Sequence, residues 1–214
     1  MEDGYNNRNL LHWLGLLGIA AFISYAVAVI FSPLAYPEYN WMSQAVSDLS
    51  ADNAPSRTLW NQLSALYYPT SIVGITAVCI AIQGKHTKAI RIGIYLFAII
   101  GWVSSVGFMA FPLTEGGAGS GAFQDLMHFV VTGVVVALSL ASLIVLVIGG
   151  LHRKAFVSLG VCALIALILM LAGPLGFILA PPEYFGLFQR FSNMIAVNGF
   201  GVALGVMLFM GKFD

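Results

Sequence analysis

The chain is predicted to be an all-α polytopic membrane protein, a single bundle of six transmembrane helices over residues 1–214 with both termini in the cytoplasm. Three observations predict this. Of 214 residues, 59% are hydrophobic and 8% charged, whereas a soluble domain carries about 25% charged residues, so a water-facing surface cannot be built. Apolar runs of about 20 residues recur, and each can cross roughly 30 Å of hydrocarbon at ~1.5 Å per helical residue. The runs are continuously apolar and do not alternate, which selects helices over barrel strands.

The spans fall near 10–33, 63–83, 92–111, 128–149, 156–179 and 191–211. Arg8, Lys85, Lys88, Arg91, Arg153, Lys154 and Lys212 lie on one side of this arrangement, and Arg57 and Arg190 on the other. Basic short loops stay cytoplasmic, so loops one, three and five face outward, across a cell membrane. Nine basic residues balance nine acidic ones, which argues against nucleic acid and leaves membrane lipids as the expected partners.

The first span carries Gly15, Gly18, Ala20 and Ala21, small residues that let helices approach closely in lipid. Its Ala26-Val27-Ala28 resembles a signal cleavage site, but the apolar run is too long and the segment before it holds Glu2, Asp3 and only one cation, Arg8. It is read as a retained helix. His12, beside Trp13, reads as an interfacial residue. The span stops at Ser32-Pro33 and Tyr36-Pro37.

Residues 36–61 form the longest polar interruption of the chain, an outer loop. Trp41, Met42, Ala45, Val46 and Leu49 recur at helical spacing and predict a short amphipathic helix on the outer surface. That helix would set Ser43 with Ser47 and Gln44 with Asp48 as i, i+4 pairs facing away from lipid. Asp52 and Asn53, ahead of Ala54-Pro55, read as caps of the helix entering span two.

Span two runs from Tyr67-Tyr68-Pro69 to Gln83. The basic turns that hold His86 and His152 make these solvated loop histidines. Span three closes on Phe111-Pro112. A glycine-rich loop, LTEGGAGSGAFQD, is expected to be mobile and leads into Asp125 and His128, three residues apart on one helix face. Asp125 reads either as an N-cap or as a partner of His128, whose ring is costly beside apolar residues without one. Span five holds Gly173-Pro174, a kink signal, and loop five carries Pro182-Glu183-Tyr184 and Gln189-Arg190. Cys79 and Cys162 read as buried small apolar residues, without a disulfide. Glu38, Asp48, Asp52, Glu115, Asp125 and Glu183 together give the outer loops an acidic mouth.

In their order, Ser47-Asp48-Leu49, Phe111-Pro112, His128 and Gly186-Leu-Phe-Gln189-Arg190 resemble the uncharacterised membrane proteins grouped as domain of unknown function 998. The resemblance covers nearly the whole chain and implies that Ser47, Asp48, Leu49, Phe111, Pro112, His128 and Arg190 are recurrent positions; it implies no activity. Glu115 stands later after Phe111-Pro112 than the acid of that family. A more distant likeness to the DRAM and Frag membrane proteins implies lipid-related roles.

By topology Ser47, Asp48, Asp125, His128, Glu183 and Arg190 share one membrane depth. In the first reading they lock the loops or hold a lipid headgroup or small ligand. Asp48 then pairs with Arg190 or Arg57, His128 bonds Asp125 or Ser47, and Asp125, Glu183, Gln189, Arg190 and Arg57 line the site. In the second, a hydrolase or transferase of outer-leaflet amphiphiles uses Ser47 as nucleophile, Asp48 as orienting carboxylate, His128 as base and Arg190 as anion clamp. It resembles enzymes of the alkaline ceramidase type in residue types only. No cofactor is expected. His128 is alone on this face, so a three-histidine zinc site is excluded, and a metal on Asp48, Asp125 and His128 would be an unusual set. Haem would need histidines paired inside the spans, and a transporter broken or charged midplane helices.

Overall fold

Continuous apolar runs produce six helical spans, Leu10–Ala35, Arg57–Ile82, Lys88–Ala110, Phe123–Leu151, Lys154–Leu179 and Pro182–Phe209. They belong to a computed structural model that describes residues 8–114 and 121–214; Glu2, Asp3 and residues 115–120 of the glycine-rich loop, Glu115 among them, lie outside the described residues. The first span is α1 (Leu10–Gly15) followed by α2 (Leu17–Phe31). The second is α3 (Arg57–Leu63) and α4 (Tyr67–Ile82), so it begins earlier than hydropathy alone places it. Then come α5 (Lys88–Ala110), α6 (Phe123–Leu151) and α7 (Val157–Leu179). The last span is α8 (Phe185–Arg190), a π-helical stretch at Phe191–Asn198 and α9 (Gly199–Phe209).

Asn9 starts α1, its side chain accepting from the His12 amide at 3.3 Å, and Thr87 starts α5, accepting from the Ile90 amide at 3.4 Å. Val78, Ile82, Ile94, Leu143, Leu146 and Leu204 are wholly buried where α4, α5, α6 and α9 meet. Elsewhere small residues set the spacing. A Cβ on Gly15 would stand 2.5 Å from the Gly205 carbonyl oxygen, and one on Gly150 would stand 2.6 Å from the Gly160 nitrogen. Lipid offers no hydrophobic drive between helices, so such backbone approach supplies the packing.

Pro174 lies inside α7. It has no N–H for the carbonyl four residues back, that of Met170. Ser192, from the π-helical stretch, takes that place: its hydroxyl donates to the Met170 oxygen at 2.9 Å and accepts from the Gly173 N–H at 2.7 Å. The proline break and the wide turn are thus joined by one side chain.

The start of α1 and the C-terminal residues meet on one face, here the terminal face. His12 is 7% exposed there, with Nε2 3.0 Å from an Asp214 carboxylate oxygen and Nδ1 2.8 Å from Asn9 Oδ1. His86 departs from the solvated reading. With φ 59° its backbone is left-handed, and its ring packs edge-on against Phe156, with Nε2 3.3 Å from the Phe213 carbonyl. The wholly buried Phe213 holds the His86 ring. His152 is exposed, as its basic turn predicts. Cys79 and Cys162 are free thiols, half buried.

Candidate functional site

The opposite face is capped by residues 36–56, here the lid, which does not form the amphipathic helix expected over 41–49. Its polar side chains take the backbone N–H groups that a helix would use. Gln44 Oε1 accepts from the Asn40 amide at 2.6 Å, Asn40 Oδ1 from the Met42 amide at 3.0 Å, and Asp48 Oδ2 from the Ala45 amide at 2.9 Å. What remains is one 3-10 stretch, Val46–Ser50, that buries Val46 and Leu49. The expected pairing of Ser43 with Ser47 and Gln44 with Asp48 goes with the lost helix.

Two straps hold the lid. The first comes from α8. Arg190 Nη1 donates to the carbonyl oxygens of Trp41 at 2.6 Å, Gln44 at 3.2 Å and Gly186 at 2.8 Å, and Nη2 donates to the Tyr39 hydroxyl at 2.6 Å. The Tyr39 hydroxyl in turn donates to the Ala45 oxygen at 2.8 Å; burial raises its phenol, so it stays a donor. Gln189 Oε1 accepts from the Val46 amide at 2.8 Å, and the Leu187 amide donates to the Met42 oxygen at 3.0 Å. Gly186 is glycine for a steric reason, since a Cβ would collide with the Gln44 and Trp41 oxygens.

The second strap joins the lid to the third loop and α6. The Asp52 amide donates to the Leu113 oxygen at 2.8 Å. The Asp52 carboxylate meets Arg57 at 2.9 Å and accepts from Gln124 Nε2 at 2.7 Å, and Gln124 reaches the Pro112 oxygen at 2.6 Å. Asp52 is therefore a bridge and not a helix cap, and Asn53 is exposed. Ser56 occupies the cap position of α3, but its hydroxyl donates to the Leu49 oxygen at 2.8 Å. Asp125, 2% exposed, accepts from the Thr114 amide at 2.7 Å and the Thr114 hydroxyl at 2.6 Å.

The pairings expected for Asp48 with Arg190 or Arg57, and for His128 with Ser47, are not formed. The guanidinium of Arg190 is filled by neutral oxygens, and Arg57 by Asp52. His128, 7% exposed, lies against Phe108 at 4.9 Å between ring centroids, and its Nδ1 is 2.9 Å from the Phe111 carbonyl oxygen. A carbonyl only accepts, so Nδ1 carries the proton and, in the neutral ring, Nε2 keeps a lone pair. Asp48 is half buried, and burial pushes its carboxyl up; the Ala45 N–H, His128 and Arg190 draw it back in that order. No hydrogen bond joins His128 and Asp48. The Ser47 hydroxyl makes no hydrogen bond among the described residues, while its carbonyl accepts from Ser50 at 3.1 Å. Glu183 is exposed on the 3-10 turn at Pro182–Tyr184. Among the described residues no three His, Cys, Asp or Glu side chains converge as a metal site requires.

Beneath the lid lies a polar chain that sequence reasoning missed. Asn193 Nδ2 donates to the Tyr25 hydroxyl at 2.7 Å, Tyr67 donates to Asn198 Oδ1 at 2.8 Å, and Asn198 Nδ2 donates to the Asn193 carbonyl oxygen at 3.2 Å. The π-helical repeat of about five residues sets Asn198 above Asn193. Two asparagines five apart in an apolar span were the available signal, because each needs partners there. Val46 from the lid packs against Tyr25 and Val29, beside Trp60, Tyr67 and Met194.

The family profile described as "Protein of unknown function (DUF998)" matches residues 19–210. No curated protein and no solved structure matches the chain.

Proposed function

The chain belongs to the DUF998 family of proteins of unknown function, and we propose that it is a multi-pass protein of the cell membrane whose strapped outer lid offers Asp48 and His128 to a hydrogen-bond-donating headgroup of an outer-leaflet lipid or small ligand. One observation carries this reading. Arg190, Gln189, Asp52, Arg57 and Asp125 are engaged in holding loops, whereas Asp48 and His128 each keep an acceptor atom, Oδ1 and Nε2, without a partner among the described residues. An asparagine would cap the Ala45 amide as well as Asp48 does, without the burial cost of a carboxylate. The lid therefore has no need of an acid at this position.

Two acceptors on one face of the bundle, one of them a carboxyl oxygen, complement a donor such as an ammonium or a hydroxyl. A phosphate alone would meet repulsion, and the cation once expected to clamp it, Arg190, is consumed by carbonyls. The hydrolase or transferase reading has less support, since a serine nucleophile needs its base within reach and Ser47 makes no bond to His128.

The test uses the purified full-length protein in nanodiscs, with phosphatidylethanolamine or phosphatidic acid of matched chains as competing probes. Retention of phosphatidylethanolamine is expected, falling about tenfold in Asp48→Asn and in His128→Ala, the loss of one charge-assisted bond. Equal retention of both lipids, or unchanged retention in folded variants, rejects the reading.

A further inference from the structure

The terminal face is crossed by a short segment that takes no part in the outer site. After α9, Gly211 adopts a left-handed backbone with φ 70° and the chain turns back on the helix. The Gly211 amide donates to the Leu208 oxygen and the Lys212 amide to the Met207 oxygen, both at 3.0 Å, the helix ending that a left-handed glycine permits. The turn lays residues 211–214 over three separate parts of the bundle. Phe213 stacks on Phe156, just ahead of α7, with ring centroids 6.3 Å apart. Its carbonyl oxygen meets His86, in the turn between α4 and α5, and the Asp214 carboxylate meets His12 of the first span.

The hydrogen bonds at His12 do not close with a neutral ring. Nδ1 stands 2.8 Å from Asn9 Oδ1, and Nε2 stands 3.0 and 3.2 Å from the two Asp214 carboxylate oxygens. A carboxylate only accepts. Asn9 is fixed as an acceptor as well, because the same Oδ1 caps α1 by taking the His12 amide N–H at 3.3 Å, and a turned side chain would set its NH2 against that N–H. Two acceptors thus face the ring. Neutral imidazole has one N–H to give them, and imidazolium has two. The His12 side chain is 9% exposed and that of Asp214 is 62% exposed, so a proton can leave along the carboxylate edge while little water reaches the ring to replace a lost bond. Of the elements packed on α1, α9 holds no titratable side chain, α2 holds Tyr25, and α4 holds Tyr67 and Tyr68 at its lid end and Cys79 near its other end. Arg8 lies 4.0 Å over the Phe209 ring, Lys212 stands on the segment itself, and Lys85 is exposed beside His86. His86 gives Phe213 an Nε2–H at 3.3 Å that the neutral and the protonated ring both carry. It is a constant tie, and His12 is the one that changes.

We propose that His12 is a proton-operated latch: the doubly protonated ring fastens Asp214 to the first span, and loss of one ring proton to solvent leaves one of the two acceptors without a donor and frees residues 211–214 from that span. Closing takes up a proton, so the latch is favoured at low pH and opens as pH rises through the imidazole range. It lies on the face opposite Asp48 and His128 and is independent of the headgroup site.

The test is amide hydrogen exchange of the full chain in nanodiscs, read by peptide mass spectrometry at about pH 5.5 and about pH 8, near the two ends of the range in which imidazole titrates, and corrected for the intrinsic rate at each pH. Protection of residues 210–214 is expected to fall about fivefold between the two, the upper end for a partly exposed ion pair, while protection of 199–209 stays constant. The step is expected to vanish in His12→Gln, which cannot take up a proton, and in Asp214→Asn, whose amide can turn to donate or accept. It is expected to persist in His86→Gln. A step of less than twofold in the parent, a step that survives in either His12→Gln or Asp214→Asn, or a loss of protection at high pH that extends through 199–209 overturns the proposal. Should His12→Gln fail to fold, Asp214→Asn, changed at an exposed side chain, decides alone.

Discussion

Arg190 and Asp48 show how differently two charges in one loop region are treated. The guanidinium gives its fork to four neutral oxygens that come from three residues of the lid and from α8. A planar fork suits that task, and a lysine ammonium could not span it. The carboxyl of Asp48 meets one backbone N–H, and burial pushes it up from its ordinary 3.8. An acid whose value is raised in the folded state binds more protons folded than unfolded, so stability declines as pH rises above 3.8 toward the folded value. Ionised Asp48 therefore costs stability at neutral pH. Asp48→Asn keeps the cap and removes that cost, so its melting temperature in detergent should equal or exceed that of the parent at pH 7, and the difference should vanish at pH 3. A lower melting point at pH 7 would show that the carboxylate holds the lid, and the headgroup reading would lose its main support.

At the level of elements, α7 and the π-helical stretch form one repaired unit. Ser192→Ala leaves the Met170 carbonyl and the Gly173 N–H without their partner in an apolar setting, at a cost of about 1–3 kcal/mol. Adding Pro174→Ala returns an N–H to Met170. The double variant should therefore recover part of the loss, measured by thermal unfolding in one detergent; a double variant less stable than Ser192→Ala would refute the account. This coupling also marks a limit of what the sequence shows. The six spans were legible because hydropathy is a local property, and so was the clustering of Ser47, Asp48, Asp125, His128 and Arg190 on one face, which follows from span parity. The partners were not. Arg190, Asp125 and His128 bond backbone atoms or a threonine, and no residue type announces which carbonyl will face a guanidinium. The lid helix failed for the same cause, because Asn40, Gln44 and Asp48 compete locally for N–H groups that a periodicity argument assigns to the helix. The partners of His12 and His86 were not legible either, because Asp214 and Phe213 are distant in sequence.

For the whole molecule, the contact of His12 with Asp214 puts the start of the first span and the C-terminal residues on one face, and the charge bias predicts a cytoplasmic place for that face. With Cys79 and Cys162 replaced by alanine, a cysteine at the exposed Asn53 should react with an impermeant maleimide applied to intact cells. A cysteine at the exposed Gly84 should react only after the membrane is opened. The opposite pattern would invert the orientation and with it the leaflet assigned to the headgroup.

The α8 strap has a consequence for the order of events during synthesis. Trp41 and Arg190 are 149 positions apart, and a ribosome adds about 5–20 residues per second, so the lid waits roughly 7–30 seconds for the residue that closes it. During that interval Trp41, Met42 and Val46 sit on an unfastened loop. A chain truncated before Gly186 keeps the loop in that state, and the lid itself becomes the mark by which a membrane protease could tell an unfinished molecule from a finished one.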